Sequence, residues 1–345
     1  MEGPRSPTEN EFDLVMDFLD SRLRPQTEWS IAQEYPTALT KTNLHNMRII
    51  TDESRILSHA VLKPLIVKTP HVVLKVGAIG SVVTDESARG QGLSTKILAS
   101  CLEEAQKQEC DIAVLWTDLH DFYRRLGFEL AGFEQSYLID KPLAASGPAL
   151  TCKATNQVDP AAIHRLMQKR SVGAHRTPED VKRFLQIPNS KLYTAWAADG
   201  RLEAFAVEGK GADLRDYLHE WSGSVSGLLH LFNFILQSKG TAFTLITPRH
   251  SQALNSALEE RGAFRHEGYL GMIKIINKPA LIEKVSRAFA ALGDTLPPIT
   301  ALDDSSLTRF LFGPNDDLLA PHFASHPRCQ DILPLRFWLW GWDSI

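Results

Sequence analysis

The sequence predicts an α/β fold built from two tandem units of like order and a short C-terminal extension. Three observations carry that prediction. Strand-like and helix-like runs alternate through the first third of the chain. A polar, small-residue stretch, DKPLAASGPALT at 140–151, then reads as a linker. After it the same order of runs returns, which reads as a degenerate internal repeat. The units expected are 1–145, 150–277 and an extension at 278–345.

ENEFDLVMDFLDSRLR sets Phe12, Val15, Met16, Leu19 and Leu23 at helical spacing. NMRIITDESRILSHAVLKPLIVK reads as two strands around a TDES turn. HVVLKVGAIGSVVT is a third extended run, interrupted by Gly77 and Gly80, and glycines inside a strand mark a bulge or a close backbone approach. Behind DESARGQG comes the helix LSTKILASCLEEAQKQ, then a buried strand, IAVLW, and a short helix, LHDFYRRLGF. In the second unit DPAAIHRLMQKR and TPEDVKRFLQI are helical, and KLYTAWAADGRLEAFAVEG is a hairpin around ADGR. RDYLHEWSG is a strand, SVSGLLHLFNFILQS a helix, TAFTLIT a strand, HSQALNSALEERGA a helix and YLGMIKIIN a final strand. LEERGAF falls where FYRRLGF fell before, and WSGSVSGLL stands where the first unit has ESARGQGLS. In the extension PALIEKVSRAFAAL is amphipathic, and DDSSLTRFLFGP is a capped helix with a Gly-Pro stop. The tail LPLRFWLWGWDSI is too aromatic for a frayed terminus, and reads either as core strand or as a functional tail.

The chain has 345 residues, 37 Lys and Arg against 41 Asp and Glu, and a net charge of −4. That balance argues against a broad nucleic-acid surface. The four cysteines, Cys101, Cys110, Cys152 and Cys329, form no C-x-x-C pair, and no metal is expected. So few cysteines in a chain of this size suit a reducing compartment. The N-terminal MEGPRSPTENEFDLV has no signal-peptide core, and no apolar run approaches a membrane span. A cytoplasmic protein without a membrane partner is the expectation.

RGQGLSTK, at 89–96, is the stretch that speaks of chemistry. A dinucleotide fingerprint needs a third glycine where Thr95 stands, and should open its domain. A triphosphate loop needs G-x-x-x-x-G-K-[ST], a spacing absent here. The physics of an anion cradle survives both failures. Backbone N–H groups at a helix start, unobstructed at Gly90 and Gly92, suit a pyrophosphate, and Arg89 adds charge beside it. A plain helix start with turn glycines is the alternative.

VVTDESARGQGLSTKIL resembles motif A of the GNAT superfamily of acetyl-CoA-dependent N-acyltransferases. Arg89, Gly92 and Ser94 match its three defined positions, with Ser94 in place of the usual glycine or alanine. DFYRRLGFELAGFE resembles the family's motif B, without the asparagine that many members carry upstream. The resemblance is strong over about residues 10–140 and weaker over 150–277. A first unit with the loop, a second without it and a C-terminal extension resemble the enhanced intracellular survival group, though this extension is too short for a full sterol-carrier-like domain.

The resemblance implies tandem GNAT-like domains, each a mixed α+β sheet, with 1–145 catalytic and 150–277 degenerate. It implies acetyl-CoA as cofactor, with pantetheine along the backbone of Val82, Val83 and Thr84. The pyrophosphate would lie on Arg89, Gly90, Gln91, Gly92, Leu93, Ser94 and Thr95. Tyr123 occupies the general-acid position. No carboxylate stands in VVLKVGAIGSVV to act as base, and the resemblance makes the α-carboxylate of Ile345 the candidate, with Glu220, Glu34 and His120 as alternatives. The acceptor would be an amine of a small molecule, peptide or protein, in a pocket walled by PQTEWSIAQEYP through Trp29 and Tyr35. A non-catalytic acyl-CoA-binding regulator and a protein-interaction module stay open as other readings, as does the oligomeric state.

Overall fold

The computed structural model describes residues 1–345, the side chain at position 316 aside. The first unit runs β1 (Glu2–Arg5), α1 (Phe12–Leu23), α2 (Ile31–Glu34), β2 (Met47–Asp52), β3 (Arg55–Lys68), β4 (Val73–Thr84), α3 (Leu93–Lys107), β5 (Ile112–Leu115), α4 (His120–Arg124), β6 (Glu129–Ala131) and β7 (Glu134–Ile139). The second runs β8 (Thr151–Ala154), α5 (Pro160–Gln168), β9 (Gly173–Ala174), α6 (Pro178–Phe184), β10 (Lys191–Trp196), β11 (Leu202–Lys210), β12 (Asp213–Gly223), α7 (Val225–Lys239), β13 (Phe243–Pro248), α8 (Gln252–Glu260), β14 (Phe264–Gly268) and β15 (Gly271–Ile275). The extension holds α9 (Lys278–Ala291), α10 (Asp304–Phe312), α11 (Asp316–Leu319) and α12 (Cys329–Ile332), then an irregular tail. On one sequence reading that tail is a core strand. It is buried, but it carries no strand. No helix is long and apolar enough to cross a membrane among the described residues.

Alternation along the strands sorts the core into layers. Ile49 and Val61 pack with Val15, Met16 and Leu19 of α1. Their neighbours Ile50 and Leu62 pack with Leu93, Ile97, Leu98 and Cys101 of α3. Successive side chains of a strand point to opposite faces, so α1 and α3 cover the two sides of the first sheet.

Both sheets are mixed. One has the order β1-β2-β3-β4-β5-β15-β6, with β9 against β3, and the other β14-β7-β13-β12-β11-β10-β8. The closing strands are therefore exchanged. β15, from the second unit, lies between β5 and β6, while β7, from the first, lies between β13 and β14. The linker at 140–151 separates the units along the chain but not the sheets.

Each unit also parts its sheet at the parallel pair. β4 pairs with β5 only from Val76 to Ala78, yet runs on to Thr84. β12 pairs with β13 only at Tyr217 and Leu218, yet runs on to Gly223. Two wedges result, each beside the start of the following helix.

Candidate functional site

The first wedge opens toward the glycine loop. Gly90 and Gly92 hold φ of 78° and 74°, the left-handed region that a side chain disfavours. A Cβ at either would meet nothing within 4 Å, so the loop faces open space. Gly92 is the N-cap of α3 and offers no side-chain cap, which leaves the first N–H groups of the helix without partners there. Those donors, with the helix dipole behind them, favour an anion. Arg89 is exposed, its guanidinium 3.4 Å from Glu86. Gln91 and Thr95 are also exposed, while Leu93 is buried and anchors the helix. Ser94, the irregular motif position, shares a 2.8 Å hydrogen bond with Thr84, which shares another of 2.9 Å with Ser58. The serine hydroxyl thus ties the loop to the end of β4.

Two further groups, which the sequence reading missed, fix this geometry. Asp85 accepts from Ser87 N–H and Oγ–H at 3.0 and 2.6 Å and from Arg22 of α1 at 2.7 Å. The Ser87 and Arg22 bonds hold its carboxyl well below the usual carboxylate range. Val61 lies opposite Gly80 but His59 opposite Val83, so β4 bulges there, with Ser81 at φ 48°. His59 is fully buried, and burial brings its pKa down to about 4. As a neutral ring it donates Nδ1–H to Ser81 O at 2.9 Å and pins the bulge. Val82, Val83 and Thr84, beyond the bulge, stay half-exposed on the parted edge.

Tyr123 lies in α4, buried between edge-on contacts to Phe122 (4.9 Å) and Phe128 (5.9 Å). It shares a cluster with Leu93, Leu115 and Val82, which joins the helix start, β5 and the parted strand. Burial raises its pKa, so the phenol stays protonated. Its hydroxyl makes no hydrogen bond among the described residues.

The tail reaches the same wedge from the other unit. A Cβ at Gly80 would overlap the carboxyl carbon and oxygen of Ile345, so the last residue lies directly on β4, two residues past its last pair with β5. Its course is fixed by buried charge. Arg176 bonds Asp343 at 2.7 and 2.9 Å and Glu220 at 3.0 and 3.1 Å. Lys210 donates to Gly341 O at 2.9 Å and to Ser344 O. The Trp342 ring stacks on Phe184 at 5.2 Å and Phe205 at 6.4 Å. Arg170 lies 3.9 Å over Trp340.

A cavity of about 330 Å³ adjoins Ile345, walled by residues of both units, among them Tyr35, Trp116, Leu214, Ile246, Leu270 and Trp338. Tyr35, expected on this wall, is there, and its hydroxyl donates to Asp213. Trp29, expected beside it, is not among the lining residues, because its indole N–H donates to Glu34 at 2.7 Å. Glu34 and Glu220 are occupied structurally. Glu34 accepts from Arg24 at 2.8 Å, from Trp29 and from Ala212 N–H at 3.0 Å. Glu220 accepts from Arg170, Arg176 and Trp342 N–H. Burial alone would raise Glu220, but Arg176 and Arg170 bring it to about 2. Neither carboxylate has a lone pair to spare for an acceptor amine. His120 opens α4 and makes no hydrogen bond among the described residues.

Residues 4–131, which span the loop, the wedge and Tyr123, match the family model of the acetyltransferase (GNAT) domain. They are a GNAT domain. The chain is accordingly an acyltransferase, and GNAT enzymes generally use acetyl-CoA. Solved structures share the fold over most of the chain. A probable N-acyltransferase from Enterococcus faecalis V583 is similar, with a TM-score of 0.62 at 17% identity over 81% of this chain and 74% of that one. A GCN5-related N-acetyltransferase from Anabaena variabilis gives a TM-score of 0.62 at 16% identity over 82% and 74%. Eis1 from Mycobacterium abscessus gives 0.54 at 11% identity over 81% and 75%. Among curated proteins none matches the sequence.

Proposed function

We propose that this GNAT chain transfers an acetyl group from acetyl-CoA to a primary amine by direct attack. One observation carries the reading: the uncapped, left-handed glycine loop opens beside a parted β4 on which Ile345 lies. The residues present suit the cofactor. Gly90 and Gly92 leave the space a pyrophosphate needs, and the free N–H groups of Leu93, Ser94 and Thr95 point the helix dipole at it. The exposed Arg89 adds positive charge. The backbone of Val82, Val83 and Thr84 holds the pantetheine arm along the parted edge, and an N–H at the bulge polarises the acyl carbonyl. Acetyl-CoA, when bound, supplies an activated acyl thioester.

The chain then manages two protons. Ile345's α-carboxylate draws the acceptor ammonium to β4 and takes one proton from it, and the neutral amine then attacks the thioester carbonyl. Tyr123 gives its phenolic proton to the departing sulfur. The second proton, shed by nitrogen as the amide forms, restores the phenol. Phenol and thiol lie within about 1.5 pKa units of each other unperturbed, near enough for efficient transfer. The second unit holds the tail and shapes the acceptor pocket.

Release of free thiol from acetyl-CoA, followed across a panel of amines, tests the reaction. Tyr123→Phe should lower kcat by about 10²- to 10⁴-fold with little change in acetyl-CoA affinity. Normal turnover by that variant would remove Tyr123 from the chemistry.

A further inference from the structure

The cavity beside Ile345 holds a carboxylate that nothing in the fold uses. Glu134, at the start of β7, lines it half-buried, and its carboxylate has no hydrogen bond or ion pair among the described residues. His219, from β12, lines it too and is 1% exposed. Its Nε2–H donates to Gly209 O at 3.0 Å, and its Nδ1 is buried under Gly341 without a hydrogen-bond partner. Asp213 differs, being tied to Arg24 at 2.9 Å and to Tyr35. The walls are aromatic and aliphatic, with the rings of Tyr35, Trp116 and Trp338. The indole N–H of Trp338 is also buried and unpartnered.

A bare carboxylate and aromatic faces around one apolar space are the chemistry that recognises an ammonium group. Carboxylates and ring faces each attract such a cation, most strongly where water is excluded. The strand exchange is what brings Glu134 here, since β7 belongs by sequence to the first unit and by pairing to the second sheet.

We propose that Glu134 anchors a second ammonium of the acceptor, so that the preferred substrate is a compact diamine with an apolar spacer. The inference rests on the amine-acetylating reading above, which puts the reacting nitrogen at Ile345. The ring faces and aliphatic walls cover the spacer. No bond forms or breaks at Glu134. It is a positioning residue.

The groups facing Glu134 set a pH signature. Burial raises Glu134 to about 7. His219, brought to about 4 chiefly by burial, is neutral throughout that range. Asp213 is ion-paired with Arg24, while Lys210, brought to about 7 by burial, stands 4.6 Å over the Tyr35 ring. Below its pKa Glu134 is uncharged and anchors weakly. Above it the anion forms, so diamine affinity should rise from about pH 6 to about pH 8.

Calorimetry on the full chain with cadaverine and n-pentylamine tests this without needing turnover. Cadaverine should bind at least about tenfold more tightly, and Glu134→Gln should shrink that ratio to about twofold or less and flatten its pH dependence. Glu134→Asp should keep part of the preference, which a merely structural role would not produce. Equal affinities in the unaltered protein, or a ratio untouched by Glu134→Gln, overturn the anchor. Thiol release measured alongside separates the two readings. Cadaverine preference without thiol release from acetyl-CoA keeps the anchor and sinks the acetyl transfer. Thiol release without preference does the reverse.

Discussion

Between β4 and β5 the sheet parts after Ala78, and the edge at Val82, Val83 and Thr84 stays half-exposed beside an uncapped helix. Between β12 and β13 the sheet parts after Leu218, and the gap is closed by the protein's own residues. The Trp221 indole donates to Ile246 O at 2.9 Å and bridges the parted strands. Trp340 meets its ring edge-on at 5.0 Å. Gly341 presses against His219, and Trp342 N–H donates to Glu220, so the tail runs along the stretch of β12 that β13 leaves. The helix starts differ as well. Ser224 caps α7 by accepting from Gly227 N–H at 3.1 Å, whereas Gly92 leaves α3 bare. One repeat leaves its helix donors uncapped. The other satisfies them internally and spends its wedge on holding the tail that reaches the first.

Four substitutions and one added residue press on that contrast, in falling order of effect. Trp340→Ala removes the ring packed on Trp221 and under Arg170, and should cost about 3–5 kcal/mol of stability in a denaturant titration of the whole chain. A smaller loss would mean that the second wedge does not depend on the tail. Gly80→Ala puts a methyl where Ile345's carboxyl lies and should lower kcat/KM about a hundredfold, while acetyl-CoA still binds. One residue added after Ile345 should act the same way, and full activity in both would exclude the tail from catalysis. The two helix starts give the smallest effects. Gly92→Ala strains a left-handed position and should weaken acetyl-CoA binding by about 1–2 kcal/mol. Ser224→Ala should cost about 1 kcal/mol of stability and leave acetyl-CoA affinity alone. Equal loss of affinity in both would end the division of labour.

The first wedge was legible because its signals are local. Gly90 and Gly92 sit where left-handed turns demand glycine, and the period of Leu93, Ile97, Leu98 and Cys101 marks α3 without any partner in view. Gly80 could be read as a bulge or a close approach, and it is both: the bulge follows it and Ile345 covers it. The aromatic tail announced its burial, but its irregular path depends on Arg170, Arg176 and Lys210, which lie more than a hundred residues away. The strand exchange was invisible for a different reason. EQSYLI and GMIKI alternate as strands do, and alternation names a face but no neighbour. Glu134 escaped notice with its strand, because only the foreign sheet makes its carboxylate part of a cavity.

The exchange of β7 and β15 also orders events during synthesis. The first sheet lacks the strand between β5 and β6 until residues 271–275 have left the ribosome. Until then the acetyltransferase half, though fully translated, has an interrupted sheet, and β7 waits for β13 and β14. Neither half can mature ahead of the other, so the nascent chain must keep both unfinished edges from pairing wrongly until the last third arrives.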